Sequence, residues 1–461
     1  MSSLEKIHRG IEAAFPSHLE AIRDFVRHPS ISADGTGIAE TAEKVKGFIE
    51  SVGGQAEIVP TQGHPVVYGE LYAARPKTLL IYGMYDVQPV VGEEWLVPPF
   101  AGETVELPKL GPAIVARGIY NTKGPLLAFF KALAVQRQVA ELPVNLTFVI
   151  EGEEEQGSPH LADFVHEYKQ RLVADAAFFP FFTMNSKGRP MVYLGAKGNM
   201  KIHLACTGGP WGGPTKRAIH SRNAAWVASP VWKLLHALAT LVDRDESITV
   251  DGFYHNLRKP SEEDEELIEQ LAEVFDERVD KDELDILRFK YDLKGAELLK
   301  KYLFSPTINI NGLVAGHIDK GIKTVLPHKA LAKLDIRLPP DMTVENTLAR
   351  IRAHLDKYGF ADVSLEKFSG YPSSRTSVRE WVVQALIRSC LYHGYQPEIW
   401  PYIPGSAPFY LFTRELGLPL AMGGLAHGGR AHSPNEFAVI DQIKLFEKSM
   451  ITFLHLYAEG T

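Results

Sequence analysis

Residues 77–83 read KTLLIYG and residues 144–152 read VNLTFVIEG. Both runs are continuously apolar rather than alternating, which is typical of strands that are covered on both faces. Between them, the spacing of apolar residues from Gly124 to Gln138 predicts a helix. The order strand, helix, strand predicts an α/β fold with a mixed sheet flanked by helices on both faces.

The apolar pattern changes twice along the chain. From residue 195 alternating strands replace the continuous runs, and their order with the intervening helices suits a smaller α+β domain. From Val378 the first pattern resumes. Because 461 residues exceed the size at which a single core stops growing, two domains are expected. We predict a larger domain made of residues 1–194 and 372–461, interrupted by an inserted domain of residues 195–371.

Composition limits the classes of partner. The formal net charge is -7, and charges of both signs are interspersed, so we expect neither a nucleic-acid nor a membrane partner, and a small molecule is the expected ligand. Cys206 and Cys390 are too few for a disulfide scaffold or a thiolate metal cluster, and we interpret both as reduced core residues. The N-terminal residues contain no apolar stretch of signal-peptide or membrane-spanning length, which predicts a cytoplasmic protein.

Four polar segments follow predicted strands. In open α/β sheets ligands bind at the carboxyl ends of the strands, so these segments are the expected site. They are GMYDVQP (83–89), ARGIYNTKGP (116–125), EGEEEQGS (151–158) and GGRAHSPNE (428–436).

Together the four segments resemble the signature segments of the carnosinase, acetylornithine deacetylase and succinyl-diaminopimelate desuccinylase family. They occur in the same order and with similar spacing over nearly the whole chain. The resemblance implies a zinc-peptidase-like catalytic domain with two zinc ions, bridged by a carboxylate and a water molecule. It also implies that the inserted domain is a lid and dimerisation domain, and hence that the protein is a homodimer.

Carried over residue by residue, the resemblance retains only part of the metal site. Glu155 and His432 match ligands of the family. Met84 replaces the first histidine ligand, Asn121 replaces the bridging aspartate, and Phe181 replaces a further aspartate ligand. Zinc binds imidazole, thiolate and carboxylate groups, whereas thioether and amide groups are weak ligands and a phenyl ring is none. We therefore expect the family's pair of ions to be absent.

No cofactor is predicted beyond one ion. A single zinc ion held by Glu155 and His432, with Asn121 or Asp86 as a further ligand, stays open. Met84 and Phe181 are interpreted as packing residues.

The resemblance also assigns catalytic roles. Glu154 matches the family's general base, and Asp86 the aspartate two residues after the missing histidine ligand. His220, in AIHSRN, resembles the histidine that reaches across the family's dimer to polarise the substrate carbonyl. Lys197 stands where the family has an arginine at the lid entrance.

The substrate-binding residues are carried over in the same way. Arg337, in LDIRLPP, resembles the arginine that pairs with the substrate carboxylate, a bidentate role suited to a guanidinium group. Asn311, Gly405 and Ser406 resemble further contacts to that carboxylate. For Asn121 two interpretations stay open, a local turn former and a substrate contact.

The predicted function is that of a dipeptidase- or amidohydrolase-like enzyme. It would act on a C–N bond of a small amino-acid-like substrate that bears a carboxylate. Losing two dications removes the Lewis acid and the ready source of hydroxide, so two alternatives remain. One is metal-independent isomerase, lyase or decarboxylase chemistry on a similar substrate, and the other is a non-catalytic binding homologue.

Overall fold

The computed structural model describes residues 2–460. Five of its helices begin at a side-chain cap, supplied by Ser2, Ser229, Ser261, Asp276 and Thr343. Ser2 caps the first helix, since its hydroxyl accepts the Glu5 N–H at 3.2 Å and the Glu5 carboxylate accepts the Ser2 N–H at 2.7 Å. In chain order the helices are α1 (Ser3–Val26), α2 (Ile38–Ser51), α3 (Lys123–Val139), α4 (Leu161–Tyr168), α5 (Pro230–Ala239), α6 (Glu262–Val274), α7 (Glu277–Glu283), α8 (Gly295–Phe304), α9 (Val344–Lys357), α10 (Trp381–Tyr392) and α11 (Ile440–Glu459).

The strands include both continuously apolar runs, which form the third and the sixth strand with α3 between them, as predicted. In chain order the strands are β1 (Gln55–Val59), β2 (Val66–Leu71), β3 (Thr78–Met84), β4 (Glu103–Leu107), β5 (Gly111–Val115), β6 (Asn145–Glu151), β7 (Ala176–Pro180), β8 (Met191–Tyr193), β9 (Gly195–Thr207), β10 (Ile219–His220), β11 (Thr307–Ala315), β12 (Val325–Leu326), β13 (Lys329–Leu338), β14 (Ser364–Tyr371), β15 (Ser374–Arg375), β16 (Glu398–Trp400), β17 (Ile403–Ser406), β18 (Leu420–Gly423), β19 (Gly428–Gly429) and β20 (Phe437–Val439).

The chain forms two compact units, which we call unit 1 and unit 2. Unit 1 comprises Met1–Gly195, Arg375–Ile403 and Pro408–Thr461, and unit 2 comprises Ala196–Ser374 and Pro404–Ala407. Among residues 2–460, no helix combines the length and the apolar composition needed to cross a lipid bilayer.

Unit 1 contains the mixed sheet that the sequence predicts. Its strand order is β1-β2-β6-β3-β7-β18-β8-β16. At the centre β3 runs parallel to both β6 and β7, and β18 runs parallel to β7. Helix α1 packs against α3 and α11, and α2 packs against β1 and β2. The parallel central strands bring their carboxyl ends to one edge of the sheet.

Unit 1 also has a second sheet that the sequence analysis does not predict. Its order is β19-β20-β5-β4. The strands β4 and β5 lie in a segment rich in proline and glycine, with few of the continuous apolar residues that mark β3 and β6. This sheet fixes the segment that follows β5 and the segment between β19 and β20, both of which carry predicted site residues.

Unit 2 contains an antiparallel sheet of order β11-β13-β9-β14. One face of this sheet packs against helices α5 and α9, and Leu204, Ile336, Leu234 and Ile351 are among the residues of that core. Side chains alternate between the two faces of a strand, so Arg337, next to Ile336, lies on the face away from the core.

Candidate functional site

Two of the predicted site segments and the residue Phe181 lie at the carboxyl ends of adjacent strands. Met84 ends β3 and pairs with Glu151, the last residue of β6. A short 3-10 helix, Glu154–Gln156, follows β6, and Phe181 follows β7 on the other side of β3. The register of the sheet therefore brings these segments to one edge of unit 1.

Asp86 joins the segment after β3 to the segment after β6. It is fully buried, and its Oδ1 and Oδ2 accept the backbone N–H groups of Glu154 at 3.2 Å and Glu155 at 3.0 Å. Burial, and next the charge of Glu155, raise the pKa of Asp86 to about 7, while the hydrogen bonds from the two amides act in the opposite direction. The geometry gives Asp86 the task of positioning the turn that carries Glu154.

Asn121, Glu155 and His432 are in mutual contact. The Asn121 Nδ2 atom lies 2.8 Å from Glu155 Oε1 and 2.9 Å from His432 Nε2. His432 Nε2 is itself 3.1 Å from the Glu155 carboxylate, and Gln88 Nε2 donates to Glu155 Oε2 at 2.8 Å. The Asn121 side chain therefore bonds to groups across the site rather than forming only a local turn.

The charge of Glu155 acts on the His432 imidazole. Partial burial lowers the pKa of His432, but the hydrogen bond and the negative charge of Glu155 outweigh that effect, so the pKa is raised overall. Its backbone adopts a positive φ of 60°. The side chain is 53% exposed, so the imidazole is open to solvent on one side.

Glu436 and Arg117 hold the Asn121 segment and were not among the predicted site residues. Glu436 Oε1 accepts the backbone N–H groups of Tyr120 at 2.9 Å and Asn121 at 2.8 Å. Its Oε2 accepts from Arg117 Nη1 at 3.1 Å, and Arg117 Nη2 reaches Glu93 at 2.9 Å. Burial raises the pKa of Glu436, although the hydrogen bonds from the backbone amides and the charge of the Arg117 guanidinium group act to lower it. Arg117 lies in the segment ARGIYNTKGP and Glu436 in the segment GGRAHSPNE. Their positions in these predicted site segments could have pointed to both residues.

Met84 and Phe181 are buried packing residues, as their structural interpretation predicts. Met84 is 3% exposed, and its carbonyl oxygen accepts the Thr122 hydroxyl at 2.8 Å. The Phe181 ring lies 5.0 Å from the Tyr120 ring and 5.5 Å from the Phe179 ring, measured between centroids. Aromatic contact occupies the position after β7 that the family resemblance assigns to a carboxylate.

The donor set at this edge does not fit two metal ions. Glu155 and His432 are side chains of types that zinc binds, whereas Asn121 supplies an amide in contact with both. Asp86 has both carboxylate oxygens engaged by backbone amides. Across residues 2–460 there is no cluster of three or more His, Cys, Asp or Glu side chains suited to holding a metal ion.

Unit 2 holds the predicted carboxylate-binding residues. Arg337 Nη1 donates a short hydrogen bond to the Ser406 hydroxyl, and Arg337 Nη2 lies 3.3 Å from Asp335 Oδ2. Gly405 and Ser406 belong to β17, which pairs with β9. The side chain of Arg337 is 30% exposed, so part of the guanidinium group can meet a ligand.

The remaining predicted residues of unit 2 have local contacts. His220 ends β10, where its Nδ1 accepts the Arg222 N–H at 3.1 Å. Asn311 is exposed and lies at the bulge of β11, where the register with β13 shifts between Ile310 and Gly312.

His427, for which the sequence assigned no role, is structural. It is 8% exposed, and its Nδ1 lies 2.8 Å from the Met184 carbonyl oxygen. Cys206 and Cys390 are both buried and unbridged, as predicted.

The fold is that of an α/β protein whose larger unit carries ionisable groups at the carboxyl ends of its central strands. The family model described as Peptidase family M20/M25/M40 matches residues 80–455. Because the match extends over most of the chain, the protein belongs to this peptidase family.

Relatives and solved structures agree with this assignment. The human Beta-Ala-His dipeptidase is 28% identical over 300 residues, which are 63% of this chain and only 56% of the human protein, so the match spans little more than half of that relative. The M20 family metallo-carboxypeptidase Sso-CP2 of Sulfolobus solfataricus is 35% identical, with a TM-score of 0.88 over 96% of this chain and 99% of that one. The dipeptidase Dug1p of Saccharomyces cerevisiae, 23% identical, shares the fold with a TM-score of 0.89 over 100% of both chains.

Proposed function

We propose that this protein is a C–N bond hydrolase for small amino-acid-like substrates that bear a carboxylate, and that it works without the family's pair of metal ions. The observation that carries the proposal is the mutual contact of Asn121, Glu155 and His432, in which an amide contacts both of the remaining metal-binding side chains. Membership of a peptidase family and relatives named dipeptidase and carboxypeptidase support a peptide-like substrate.

In this proposal Glu154 is the general base. The turn that carries it is held by two hydrogen bonds from its backbone and that of Glu155 to the buried Asp86, so its position is defined. The Glu154 carboxylate accepts a proton from water as the oxygen attacks the substrate carbonyl, and the proton then passes to the leaving nitrogen. His432 Nε2 lies 3.1 Å from the Glu155 carboxylate on the solvent side of the same cluster.

Unit 2 supplies the substrate-binding groups. Arg337 pairs with the substrate carboxylate, and the Ser406 hydroxyl, which accepts from Arg337, fixes the guanidinium orientation. Asn311 and Gly405 add contacts to that carboxylate, and His220 polarises the substrate carbonyl. We further propose that unit 2 is a lid and dimerisation domain and that the protein is a cytoplasmic homodimer, a location supported by its two buried thiols.

The second candidate function is non-catalytic binding of the same class of ligand. It is favoured by Phe181, whose ring packs against Tyr120 and Phe179 where a family ligand is expected, because this packing leaves fewer groups to activate water. Metal-independent lyase or isomerase chemistry would use the same Glu154 base.

The test is a turnover assay on dipeptides, N-acyl amino acids and related amides with the full chain and its Glu154→Gln variant. We expect turnover to fall by about two orders of magnitude or more in the variant, since a positioned base contributes that much. Ligand affinity, measured by calorimetry, should change little. The exposed Glu167→Gln is the matched control and should leave both quantities unchanged.

Each result selects one account. Full turnover in Glu154→Gln would contradict the role of the base. Binding without turnover in the unaltered protein would select the second candidate.

A further inference from the structure

Unit 2 contains a cavity with five aromatic residues in its lining. Its volume is about 290 Å³. Aliphatic side chains, among them the buried Leu298 and Leu299, complete the walls. The aromatic lining residues are Tyr254, Phe275, Phe289, Tyr291 and Tyr302.

Three of the four charged residues that line the cavity, Glu246, Lys290 and Lys301, contact neighbouring side chains. Lys290 forms an ion pair with Glu246, and the Lys301 ammonium lies 4.8 Å from the centroid of the Tyr291 ring. The hydroxyl of Tyr291 donates to the Asp245 carbonyl oxygen at 2.9 Å. The interior is therefore suited to an apolar or aromatic group rather than to an ion.

The volume sets the size of the occupant. An apolar cavity of about 150 Å³ holds a benzene molecule, so this cavity has room for one phenyl or indole ring with its methylene stem. It lies below the usual size of sites that enclose a whole drug-sized ligand. A single aromatic side chain matches it.

The cavity lies beside the strand that carries the predicted carboxylate-binding arginine. Thr307 lines the cavity and is the cross-strand neighbour of Arg337 in the antiparallel pair of β11 and β13. Directly opposite residues of such a pair have Cα atoms about 4.5–5.5 Å apart and present their side chains on the same face. Arg337 and a residue of the cavity wall therefore face each other on neighbouring strands.

Lys197 ties the same wall to Arg337. Its buried ammonium group donates to the carbonyl oxygens of Tyr302 at 2.5 Å and Ser305 at 3.0 Å, and both residues line the cavity. Burial, and next the charge of Arg337, lower the pKa of Lys197 to about 7. The pKa of Tyr302 depends on charges at the cavity and at Arg337. Partial burial, and next the charge of the cavity residue Asp280, raise this pKa, while the charge of Arg337 acts to lower it.

We propose that this aromatic cavity is a side-chain subsite, and that the ligand is a peptide or amino-acid carboxylate whose terminal residue has an aromatic side chain. Arg337 binds the carboxylate and the cavity takes the ring of the same residue. The inference rests on the role of Arg337 in the proposed function and adds the specificity of that site. Five aromatic walls favour a ring over an aliphatic chain, because edge-to-face contacts add to the burial of apolar surface.

The test compares two dipeptides that differ only in the terminal side chain. Binding of Gly-Phe and Gly-Gly to the full chain is measured by titration calorimetry, and we expect Gly-Phe to bind about tenfold or more tightly, the effect of burying one ring. Leu284 lines the cavity and is 61% exposed, so Leu284→Trp fills the cavity from its mouth and should reduce the preference to about twofold or less. Leu287→Trp is the matched control, because Leu287 is 99% exposed and lies outside the lining, and the preference should persist.

Further measurements test the preference for Gly-Phe without relying on Leu284→Trp alone. Phe275→Ala removes a wall and should also lower the preference for Gly-Phe, and Gly-Leu should bind the unaltered protein with intermediate affinity. Arg337→Met should weaken both dipeptides by a similar factor.

Equal affinity of the unaltered protein for Gly-Phe and Gly-Gly would overturn the subsite while leaving the carboxylate role of Arg337 intact. Loss of preference in Leu287→Trp as well as in Leu284→Trp would also overturn it. If Arg337→Met left both affinities unchanged, the proposed function itself would lose its carboxylate anchor, and the subsite with it.

Discussion

The Asn121 amide lies 2.8 Å from the Glu155 carboxylate, with its Nδ2 directed at Glu155 Oε1. An amide donor at this distance neutralises part of the buried negative charge of Glu155, whose residue is 8% exposed. A carboxylate at position 121 would instead repel it. The relationship explains how the cluster is stable through its own hydrogen bonds.

Replacing this amide by a carboxylate should therefore destabilise the protein. We expect Asn121→Asp to lower the free energy of unfolding by about 1–3 kcal/mol in the presence of a chelator, because a hydrogen bond becomes a like-charge contact. Urea denaturation at neutral pH measures the difference. Asn256→Asp, at an exposed position, is the control, and equal stability of the two variants would contradict the prediction.

Asp86 should matter for stability through its two amide contacts. We expect Asp86→Ala to cost roughly 2–4 kcal/mol of unfolding free energy, because two buried N–H groups lose their acceptor. Asp86→Asn keeps the volume and one acceptor oxygen, so its free energy of unfolding should lie between those of Asp86→Ala and the unaltered protein. Chemical denaturation followed by circular dichroism is the measurement, and a neutral effect of Asp86→Ala would refute the positioning role.

Arg117 is the buried cation between Glu93 and Glu436. Removing one member of a buried ion pair leaves an uncompensated charge, so Arg117→Met should destabilise by about 3–5 kcal/mol. The double variant with Glu436→Gln should recover part of the loss, because the buried carboxylate is then gone. Arg27→Met is the control, since Arg27 pairs with Glu20 and Asp24 at the surface, and a similar cost there would count against the argument.

Stability should fall on the acid side because of two histidines in contact. His8 and His393 both approach the Thr452 hydroxyl, at 3.1 and 2.9 Å, and burial followed by nearby positive charge lowers the pKa of each to about 4. Below the unperturbed pKa of 6.5 the two histidines bind protons in the unfolded chain but stay neutral in the folded chain. The free energy of unfolding therefore falls as the pH falls from 6.5 towards 4, and these histidines do not affect it above that range.

The check is the midpoint of thermal unfolding across this range of pH. The double variant His8→Gln with His393→Gln should show a weaker pH dependence than the unaltered protein. His255→Gln, at an exposed position, should retain the full dependence, and an identical slope in all three proteins would contradict the prediction.

The sequence predicts most of the central architecture because the strongest local signals lie there. The continuous apolar runs that become β3 and β6, and the helix between them, are long enough to be assigned by pattern alone. The β4–β5 hairpin escapes prediction because its strands are short and partly polar, and its pairing with β20 is made by residues far away in sequence.

The candidate site divides in the same way. The four site segments can be predicted from their positions after strands and from the family resemblance. The contacts that their side chains make cannot. That Glu436 accepts the amides of Tyr120 and Asn121 depends on a separation of more than three hundred residues along the chain. The aromatic cavity of unit 2 could not be predicted either, since its walls come from loops, helices and β11, and no short sequence pattern connects them.

Zinc content measures the central claim most directly. The full chain is exposed to excess zinc, passed through a desalting column, and analysed for metal per polypeptide. The variant carrying Met84→His, Asn121→Asp and Phe181→Asp is the positive control, because it restores the imidazole and two carboxylates that a pair of ions needs. We predict at most one zinc ion per chain for the unaltered protein and a higher content for the triple variant. Two tightly held ions in the unaltered chain would contradict the account.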